Sequence, residues 1–328
     1  MTTTGTLRPA TEAAKPSGLL FALSFFAIYV IWGSTYLAIR FAVETIPPFV
    51  TVSLRHATAG LILLGWAWSR GYRLKLEHVK AGAIQGAFFF LIGHGTLHWA
   101  EQYVASGLAA LLVATEPLWI LGIGSAMGDE RINWKNGLGL VAGLAGVWVL
   151  TGSDLSLRNS LGIGIILVLV GAASWAIGVC IAPRLKLPEE PIARAAVPLI
   201  CGAVMLLITA TVTGEFHATD WTAISAKSWA GLAYLIIFGS VVAFTAYTWL
   251  LQHISATLVA THTFVNPVVA VFVGWLLAAE PISMRLLTAT ALILVAIFLI
   301  QRGARPDRIE AKAGQGEGNQ PLVSTGHH

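Results

Sequence analysis

The stretch ALLVATEPLWIL, residues 110–121, is a run of apolar residues interrupted by Glu116 and Pro117. Both residues normally destabilise a buried helix, because a carboxylate is costly to desolvate and proline cannot donate a backbone hydrogen bond. The composition of the whole chain indicates the environment in which these two residues lie. Of its 328 residues, 56% are hydrophobic and only 11% are charged. A soluble domain of this length needs a charged surface, so the composition predicts an integral membrane protein.

Apolar stretches of about twenty residues recur along the chain, and a helix of that length crosses a bilayer core of roughly 30 Å. The sequence therefore predicts an all-α protein with ten transmembrane helices, near residues 18–39, 49–68, 81–100, 104–127, 137–152, 160–182, 192–213, 228–250, 255–278 and 284–301. The polar residues 1–17 predict an N-terminal tail. Residues 303–328, rich in Gly, Gln and charge, predict a disordered C-terminal tail.

The distribution of lysine and arginine predicts the orientation of these helices. With the N-terminus in the cytoplasm, fifteen of the twenty basic residues fall on the cytoplasmic side. The positive-inside rule then places both termini in the cytoplasm. This bias explains the net charge of +4 without a nucleic-acid partner. The predicted partners are a small-molecule substrate and membrane lipid.

The chain also repeats itself. An offset of 150 positions aligns EQYVASGLAALLVATEPL (101–118) with LQHISATLVATHTFVNPV (251–268), so that Pro117 meets Pro267. An offset of 143 brings Trp32 onto Trp175. Each half would hold five helices, and because five is odd the second half must be inverted in the membrane. The sequence thus predicts two inverted repeats, residues 18–152 and 153–302, around a central cavity, a construction typical of secondary transporters.

Several motifs resemble a known family. The segments WGSTYLAIRFAVETIPPF (32–49), LRHATAGLILL (54–64) and FVNPVVAVFVGWLLAAEPI (264–282), with Glu116–Pro117, resemble the duplicated EamA-type domains of the drug/metabolite transporter superfamily. The resemblance covers roughly residues 18–302. It implies a ten-helix basket in the bacterial inner membrane that exports amino acids, other metabolites or drugs. The small multidrug pumps of that superfamily use a carboxylate in their first helix, and this chain has none there, so proton antiport is not implied.

Pro117 should bend the fourth predicted helix, because its ring crowds the preceding turn. Glu116 lies about halfway along that helix, where a charge that faces lipid would cost at least about 2.5 kcal/mol. It should therefore face the bundle interior. Asn266 and Pro267 repeat this arrangement in the ninth helix, so we expect the two prolines to act as gating hinges beside the cavity. The alternative is that the prolines only curve the helices and Glu116 is a packing residue.

The third predicted helix carries His94, His98 and Glu101 on one face. A substrate or proton role and interhelical hydrogen bonding are both open for them. Metal binding is disfavoured, because the glutamate of an HExxH motif is missing, and no cofactor is predicted. His262 lies one turn before Asn266 and shares its face, so it is a further candidate for the cavity wall.

Aromatic residues complete the candidate site. Trp32, Tyr36, Trp99 and Trp175 are predicted to line the cavity, where they could stack on a substrate or attract an ammonium group. They could equally fill space between helices. Arg55 is long enough to reach the outer surface or to pair with Glu44 or Glu101. The family resemblance implies a structural role for it ahead of substrate contact.

The leading functional hypothesis is a secondary transporter that exports small metabolites by alternating access. Amino acids are favoured, especially those with aromatic or large apolar side chains. A pump for lipophilic cations is the alternative. An integral-membrane enzyme is disfavoured, because the sequence shows no paired catalytic carboxylates, no nucleophile motif and no phosphate-binding loop. The small-residue motif that begins at Gly139 favours close helix packing first and dimerisation second. A homodimer is therefore allowed, but each chain should function alone.

Overall fold

The computed structural model describes residues 17–128, 132–151, 160–254, 259 and 261–303, and this part of the chain is helical with no β-strand. The long helices are α1 (Gly18–Ala42), α2 (Pro48–Ser69), α3 (76–100), α4 (Ser106–Ala126), α5 (Trp134–Thr151), α6 (Ser160–Arg184), α7 (Pro191–Val212), α8 (Ala226–His253), α9 (His262–Ala278) and α10 (Met284–Gly303). A single helical turn, Glu215–Ala218, follows α7. Both predicted tails fall almost entirely outside the described residues, as does most of 255–261, where the sequence predicts the start of the ninth helix.

Polar residues, prolines and glycines mark the positions at which these helices begin and end. Ser17 accepts a backbone N–H from the first turn of α1, and Ser225 does the same for α8. Pro48 and Pro191 occupy the first turns of α2 and α7, where no intrahelical N–H bond is required. Gly71 follows the end of α2 with φ of +88°, a left-handed conformation that favours glycine.

The surface of the bundle is that of a membrane protein. Six of the described helices, α1, α2, α4, α6, α7 and α8, are long and apolar enough to cross a membrane. α9 and α10 carry shorter apolar stretches, Val265–Ala278 and Met284–Leu299. Large apolar side chains are widely exposed, among them Val212 at 81% and Trp148 at 74%. Water would disfavour such a surface, whereas lipid accommodates it.

Helices of the two halves pack against each other throughout the bundle. α2 packs along α7 and α5 along α10, while α1 packs on α8 and α9, and α6 on α3 and α4. Glycines permit the closest approaches. A Cβ atom at Gly86 of α3 would lie 2.8 Å from the backbone nitrogen of Gly202 in α7. One at Gly33 of α1 would lie 2.7 Å from the Cβ atom of Val269 in α9.

Three helices contain π-helical turns: Ala27–Ile31 in α1, Ala87–His94 in α3 and Leu235–Val242 in α8. Such turns often mark functional sites, because they rotate the following residues and loosen the regular hydrogen-bond ladder. Here Trp32 directly follows the first π turn and His94 ends the second. The π turns therefore set the direction of two candidate side chains.

Candidate functional site

A cavity lies between α1, α2, α3, α4, α6 and α9. The space open to the centre of a water molecule in it is about 80 Å³. The cavity is lined by Trp32, Thr35, Tyr36, Ile39, Arg55, Gly93, His94, Leu97, Ala110, Val113, Ala114, Glu116, Val168, Gly171, Ala172, Trp175, His262, Thr263, Asn266 and Pro267. Apolar and aromatic walls with a few polar groups are typical of a small-molecule site.

The structure brings most of the sequence-predicted residues to this cavity. Those that line it are Trp32, Tyr36, His94, Glu116, Trp175, His262, Asn266 and Pro267. His98, Trp99 and Pro117 do not. The ring of His98 turns back along α3, since its Nδ1 lies 2.7 Å from the carbonyl oxygen of His94. Trp99 packs on Tyr103, with ring centroids 5.1 Å apart, at the end of α3.

Trp32 belongs to an aromatic wall built by α1, α8 and α9. Its ring centroid lies 5.0 Å from that of Tyr247 and 5.3 Å from that of His262. Its Nε1 donates a hydrogen bond of 3.0 Å to the carbonyl oxygen of Gly239, which lies in the π turn of α8. The indole is therefore held in one orientation by its polar edge, and its face remains available to the cavity.

Trp175 belongs to a second aromatic wall, between α6 and α3. Its ring stacks on Phe89, with centroids 4.1 Å apart, and on His94 at 5.3 Å. Gly93 and Gly171 allow this approach, because a Cβ atom at Gly171 would lie 2.9 Å from the carbonyl oxygen of Gly93. The two tryptophans at equivalent positions of the sequence repeat thus both line the cavity, in different surroundings.

Two side chains of opposite charge type also line the cavity. Arg55 of α2 is buried, and its Nε donates to the Oγ atom of Ser240 at 2.9 Å. Glu116 of α4 is buried as well. Of the alternatives for Arg55, Glu44 pairs instead with Lys227 at 2.6 Å, and no direct hydrogen bond joins Arg55 to Glu101 among the described residues.

Sequence reasoning underrated Arg55 as a cavity residue. A signal was available, because an arginine seven residues into an apolar helix must face the bundle interior or a cavity. Thr35 and Thr263 were not singled out at all, since single threonines in apolar helices are common.

Next to the cavity, α4 is interrupted. Its first segment ends at Val113, Ala114 and Thr115 form a turn, and the second segment begins at Glu116. The backbone N–H of Thr115 bonds to the carbonyl of Leu112 at 3.1 Å, which is a tighter turn than an α-helix makes. Pro117, in the first turn of the second segment, has no N–H with which to continue the ladder. The break therefore places the Glu116 carboxyl at the cavity.

The equivalent position in α9 differs. The structure describes one continuous helix from His262 through Pro267, without an interruption like that of α4. The amide nitrogen of Asn266, turned toward its acceptors, donates to the backbone oxygens of Ile28 at 2.9 Å and Tyr29 at 3.0 Å. Both carbonyls belong to the π turn of α1. Asn266 thus lines the cavity but uses its amide to join α9 to α1.

His94 lines the cavity, whereas its neighbours His56 and His98 are fully buried. The Nε2 atom of His56 is 3.0 Å from Nδ1 of His94, and the two rings are stacked. Among the described residues, the buried side-chain atoms without a hydrogen-bond partner include Nδ1 of His56, Nε2 of His98 and both carboxylate oxygens of Glu101. No group of three or more His, Cys, Asp or Glu side chains in this part of the chain could hold a metal ion.

Glu280, just after α9, links three helices. Its carboxylate accepts the backbone N–H groups of Ser106 and Gly107 at 3.0 and 3.2 Å, at the start of α4. It also pairs with the Nη1 atom of Arg40, at the end of α1, at 3.1 Å. We refer to Glu280, Arg40, Ser106 and Gly107 as the Glu280 seal, because they join α1, α4 and the end of α9.

Similarity to known proteins agrees with this arrangement. The model of the EamA-like transporter family matches residues 17–152 and 162–302. The uncharacterized inner membrane transporter YedA of Escherichia coli strain K12 is 36% identical over 286 residues, which cover 85% of this chain and 90% of YedA. The uncharacterized transporter YoaV of Bacillus subtilis strain 168 is 28% identical over 280 residues, which cover 84% and 95% of the two chains.

One solved crystal structure resembles the chain with a TM-score of 0.63 at 20% sequence identity, covering 88% of this chain and 99% of its own. At that identity the likeness shows the fold alone. The family resemblance of the sequence motifs is confirmed by the family match, which spans nearly all described residues. The chain is a membrane transporter that belongs to the EamA-like transporter family.

Proposed function

We propose that the chain exports amino acids with aromatic or large apolar side chains across the bacterial inner membrane by alternating access. The observation that carries this proposal is a cavity that combines Arg55 and Glu116 with the faces of Trp32 and Trp175. A guanidinium recognises a carboxylate, and a carboxylate or an aromatic face attracts an ammonium group. The aromatic walls suit an apolar side chain. A sugar fits this lining poorly, because it needs many hydrogen-bonding groups.

The proposed architecture has ten membrane-spanning helices in two inverted repeats, residues 18–152 and 153–302. Helix packing supports it. When the number of each helix is shifted by five, so that α1 becomes α6 and α6 becomes α1, the observed helix–helix contacts map onto one another. The contact of α1 with α9 then becomes that of α6 with α4, and α1 with α8 becomes α6 with α3. The contacts of α2 with α7 and α5 with α10 map onto themselves. The π turns of α3 and α8 occupy corresponding helices.

In this topology both termini are cytoplasmic, and the Glu280 seal lies at the external end. In this proposal the seal closes the external side of the transport path. Export requires the seal to open. We infer that the break in α4, which connects the seal to Glu116, is the hinge for that opening.

The proposal is tested by counterflow in proteoliposomes loaded with unlabelled phenylalanine and supplied with labelled phenylalanine. Tryptophan and leucine should compete, glycine should compete poorly, and recovered label should be chemically unchanged. Arg55→Gln should raise the apparent KM for phenylalanine about ten- to hundredfold, because one charge-assisted contact of about 1.5–3 kcal/mol is lost. Arg73→Gln, in the connection after α2, is the matched control and should behave as wild type. Absence of counterflow with any amino acid would contradict the proposal.

A second candidate, efflux of lipophilic cations, is favoured by Glu116 between aromatic walls. The same liposomes distinguish the two, with labelled tetraphenylphosphonium as the probe. A cation pump should carry this probe and keep doing so in Arg55→Gln, because a cation has no use for the guanidinium. An amino-acid exporter should carry it poorly, and the substitution should raise the apparent KM for phenylalanine as stated above.

A further inference from the structure

The π turn of α8, Leu235–Val242, holds two side chains of the cavity although α8, which the structure describes in full, contributes no residue to the cavity lining. The backbone N–H of Ala243 bonds to the carbonyl oxygen of Phe238, five residues earlier, so this turn is wider than that of an α-helix. Two consecutive buried residues of the turn, Gly239 and Ser240, make the contacts. They act on the cavity through the side chains of other helices.

Ser240 holds the guanidinium of Arg55. Its Oγ atom accepts a hydrogen bond of 2.9 Å from Nε of Arg55, and Arg55 is only 3% exposed. Among the described residues, this is the one hydrogen bond that the structure shows for Arg55. Because a guanidinium presents its donors in a rigid planar fork, the bond at Nε restricts the direction of the two terminal amino groups. Arg55 lines the cavity, so these groups are directed toward a carboxylate that enters it.

Gly239, the preceding residue, holds the indole of Trp32. Its carbonyl oxygen accepts the hydrogen bond of 3.0 Å from Nε1 of Trp32. The ring of Tyr247, about two turns later on α8, lies 5.0 Å from the Trp32 ring between centroids. A guanidinium from α2 and an indole from α1 therefore share one support, two consecutive residues of α8.

The lack of a side chain at Gly239 keeps these groups close together. A Cβ atom there would lie 3.0 Å from Cγ2 of Thr35 and 3.1 Å from Nη2 of Arg55. Both distances are shorter than the roughly 3.5–4.0 Å at which non-bonded atoms pack best, so a methyl group would push Thr35 or Arg55 away. Thr35 follows Trp32 on α1 and also lines the cavity. Gly239 thus sets how closely α1 and α2 approach α8 beside the cavity.

The π turn of α3, Ala87–His94, supports the second tryptophan in a different way. Trp175 stacks on two rings of this turn, Phe89 at 4.1 Å and His94 at 5.3 Å between centroids. In the described chain, an arginine bonded to such a turn is found at α8 alone. The two tryptophans of the repeat are therefore both supported by π turns, but the cationic group of the cavity lies on the α8 side.

We propose that Gly239 and Ser240 are positioning residues that set the substrate specificity of the cavity, by holding the Arg55 guanidinium at a fixed separation from the Trp32 indole. This inference rests on the proposed function. A substrate then places its carboxylate on the guanidinium and its side chain on the indole at the same time, so the length between these two groups matters. Phenylalanine has one such length, phenylglycine is one carbon shorter, and homophenylalanine is one carbon longer. Selection by length is the property that the α8 turn confers.

The support of Arg55 is measured without any substrate. In protein labelled with ¹⁵N-arginine and kept in detergent, the Nε–H signal that Arg55→Gln removes should exchange slowly with water. Ser240→Ala should speed that exchange at least about tenfold, because the hydrogen bond that protects the proton is lost. Thr245→Val is the matched control, since it removes a buried hydroxyl of α8 that has no hydrogen-bond partner among the described residues. Equal exchange in wild type and Ser240→Ala would overturn the support.

Counterflow in proteoliposomes tests the consequence for specificity, with labelled phenylalanine competed by phenylglycine and homophenylalanine. Ser240→Ala should raise the apparent KM for phenylalanine about three- to tenfold and leave the maximal rate within about twofold of wild type. The preference for phenylalanine over the two homologues should fall about threefold, because a loosely held guanidinium accommodates other lengths. Thr245→Val should match wild type. A lower maximal rate with an unchanged preference would make Ser240 a structural residue only.

A double-variant cycle separates positioning from a general loss of structure. In an Arg55→Gln background, Ser240→Ala should change the apparent KM less than about twofold, because the group that Ser240 holds is already gone. Effects that multiply across the two variants would contradict the proposal.

The remaining outcomes distinguish this inference from the proposed function. If wild type carries no amino acid, the proposed function fails, and the exchange of the Arg55 Nε–H still decides whether Ser240 holds the guanidinium. If wild type carries phenylalanine but Ser240→Ala keeps its length preference, the proposed function stands and the positioning role is wrong. If Ser240→Ala does not fold, Gly239→Ala decides, because its methyl group displaces the same guanidinium and should change the length preference about threefold. An unchanged preference in Gly239→Ala would overturn the inference.

Discussion

Two helix pairs face each other across the cavity, α1 with α9 and α6 with α4, and they differ in how they are held together. Asn266 and Pro267 of α9 lie in a continuous helix, and the Asn266 amide bonds the π turn of α1. Glu116 and Pro117 of α4 lie just after a break, and the Glu116 carboxyl lines the cavity. A polar residue before proline thus lies in a continuous helix that is bonded to its neighbour on one side, which we call the joint. On the other side it lies at a helix break beside a titratable group, which we propose as the hinge.

The largest expected effect concerns the joint. Asn266→Ala leaves the carbonyls of Ile28 and Tyr29 without their donor in a buried site, and we expect a loss of about 2 kcal/mol of stability. Thermal unfolding in detergent, followed by size-exclusion chromatography, measures it. Gln102→Ala is the control, because that exposed amide donates to the nearby carbonyl of Trp99 and joins no second helix among the described residues. Equal stability of both variants would show that α1 and α9 are held by apolar packing alone.

The corresponding change on the hinge side should affect transport and leave stability nearly unchanged. Glu116→Gln keeps the shape of the side chain but removes its charge. We expect an increase of about tenfold in the apparent KM for phenylalanine, since a contact with the substrate ammonium group is weakened by roughly 1.4 kcal/mol. Counterflow kinetics and thermal unfolding are measured on the same preparation. An unchanged KM together with reduced stability would make Glu116 a packing residue.

Replacing Pro117 of α4 and Pro267 of α9 by alanine, one at a time, compares the hinge with the joint directly. Pro117→Ala supplies the missing N–H and allows α4 to become continuous, so we expect transport to slow several-fold. Pro267→Ala should slow it less, because α9 already runs through that position. Initial counterflow rates at equal amounts of folded protein test this order. A greater effect at Pro267 would reverse the assignment of hinge and joint.

These differences limit what the sequence alone can predict. Apolar segment lengths and short motifs are sufficient for the membrane class and the family, because both depend on composition and local order. The equivalence of Glu116–Pro117 and Asn266–Pro267 is also visible in the sequence. Their different roles are not visible in the sequence, because the Asn266 amide bonds two carbonyls in a π turn of another helix. A regular helical period likewise predicts His98 beside His94 in the cavity, but the hydrogen bond of His98 to its own helix turns its ring away.

The smallest expected effect separates the two aromatic walls. Trp32 and Trp175 occupy equivalent positions in the repeat, but only for Trp32 does the structure show an indole N–H bond to a backbone carbonyl of α8, at Gly239. Trp32→Phe keeps an aromatic face but loses that bond and the orientation it fixes, a change of about 1 kcal/mol. Trp175→Phe keeps the stacking against Phe89 and His94. We therefore expect the apparent KM for tryptophan to rise two- to fivefold in Trp32→Phe, on the order of 0.5–1 kcal/mol, and less than twofold in Trp175→Phe. Counterflow with tryptophan and with leucine measures both effects, and leucine should be the less sensitive substrate because it stacks poorly. Equal increases for both variants and both substrates would mean that the tryptophans fill space between helices and that neither face meets the substrate.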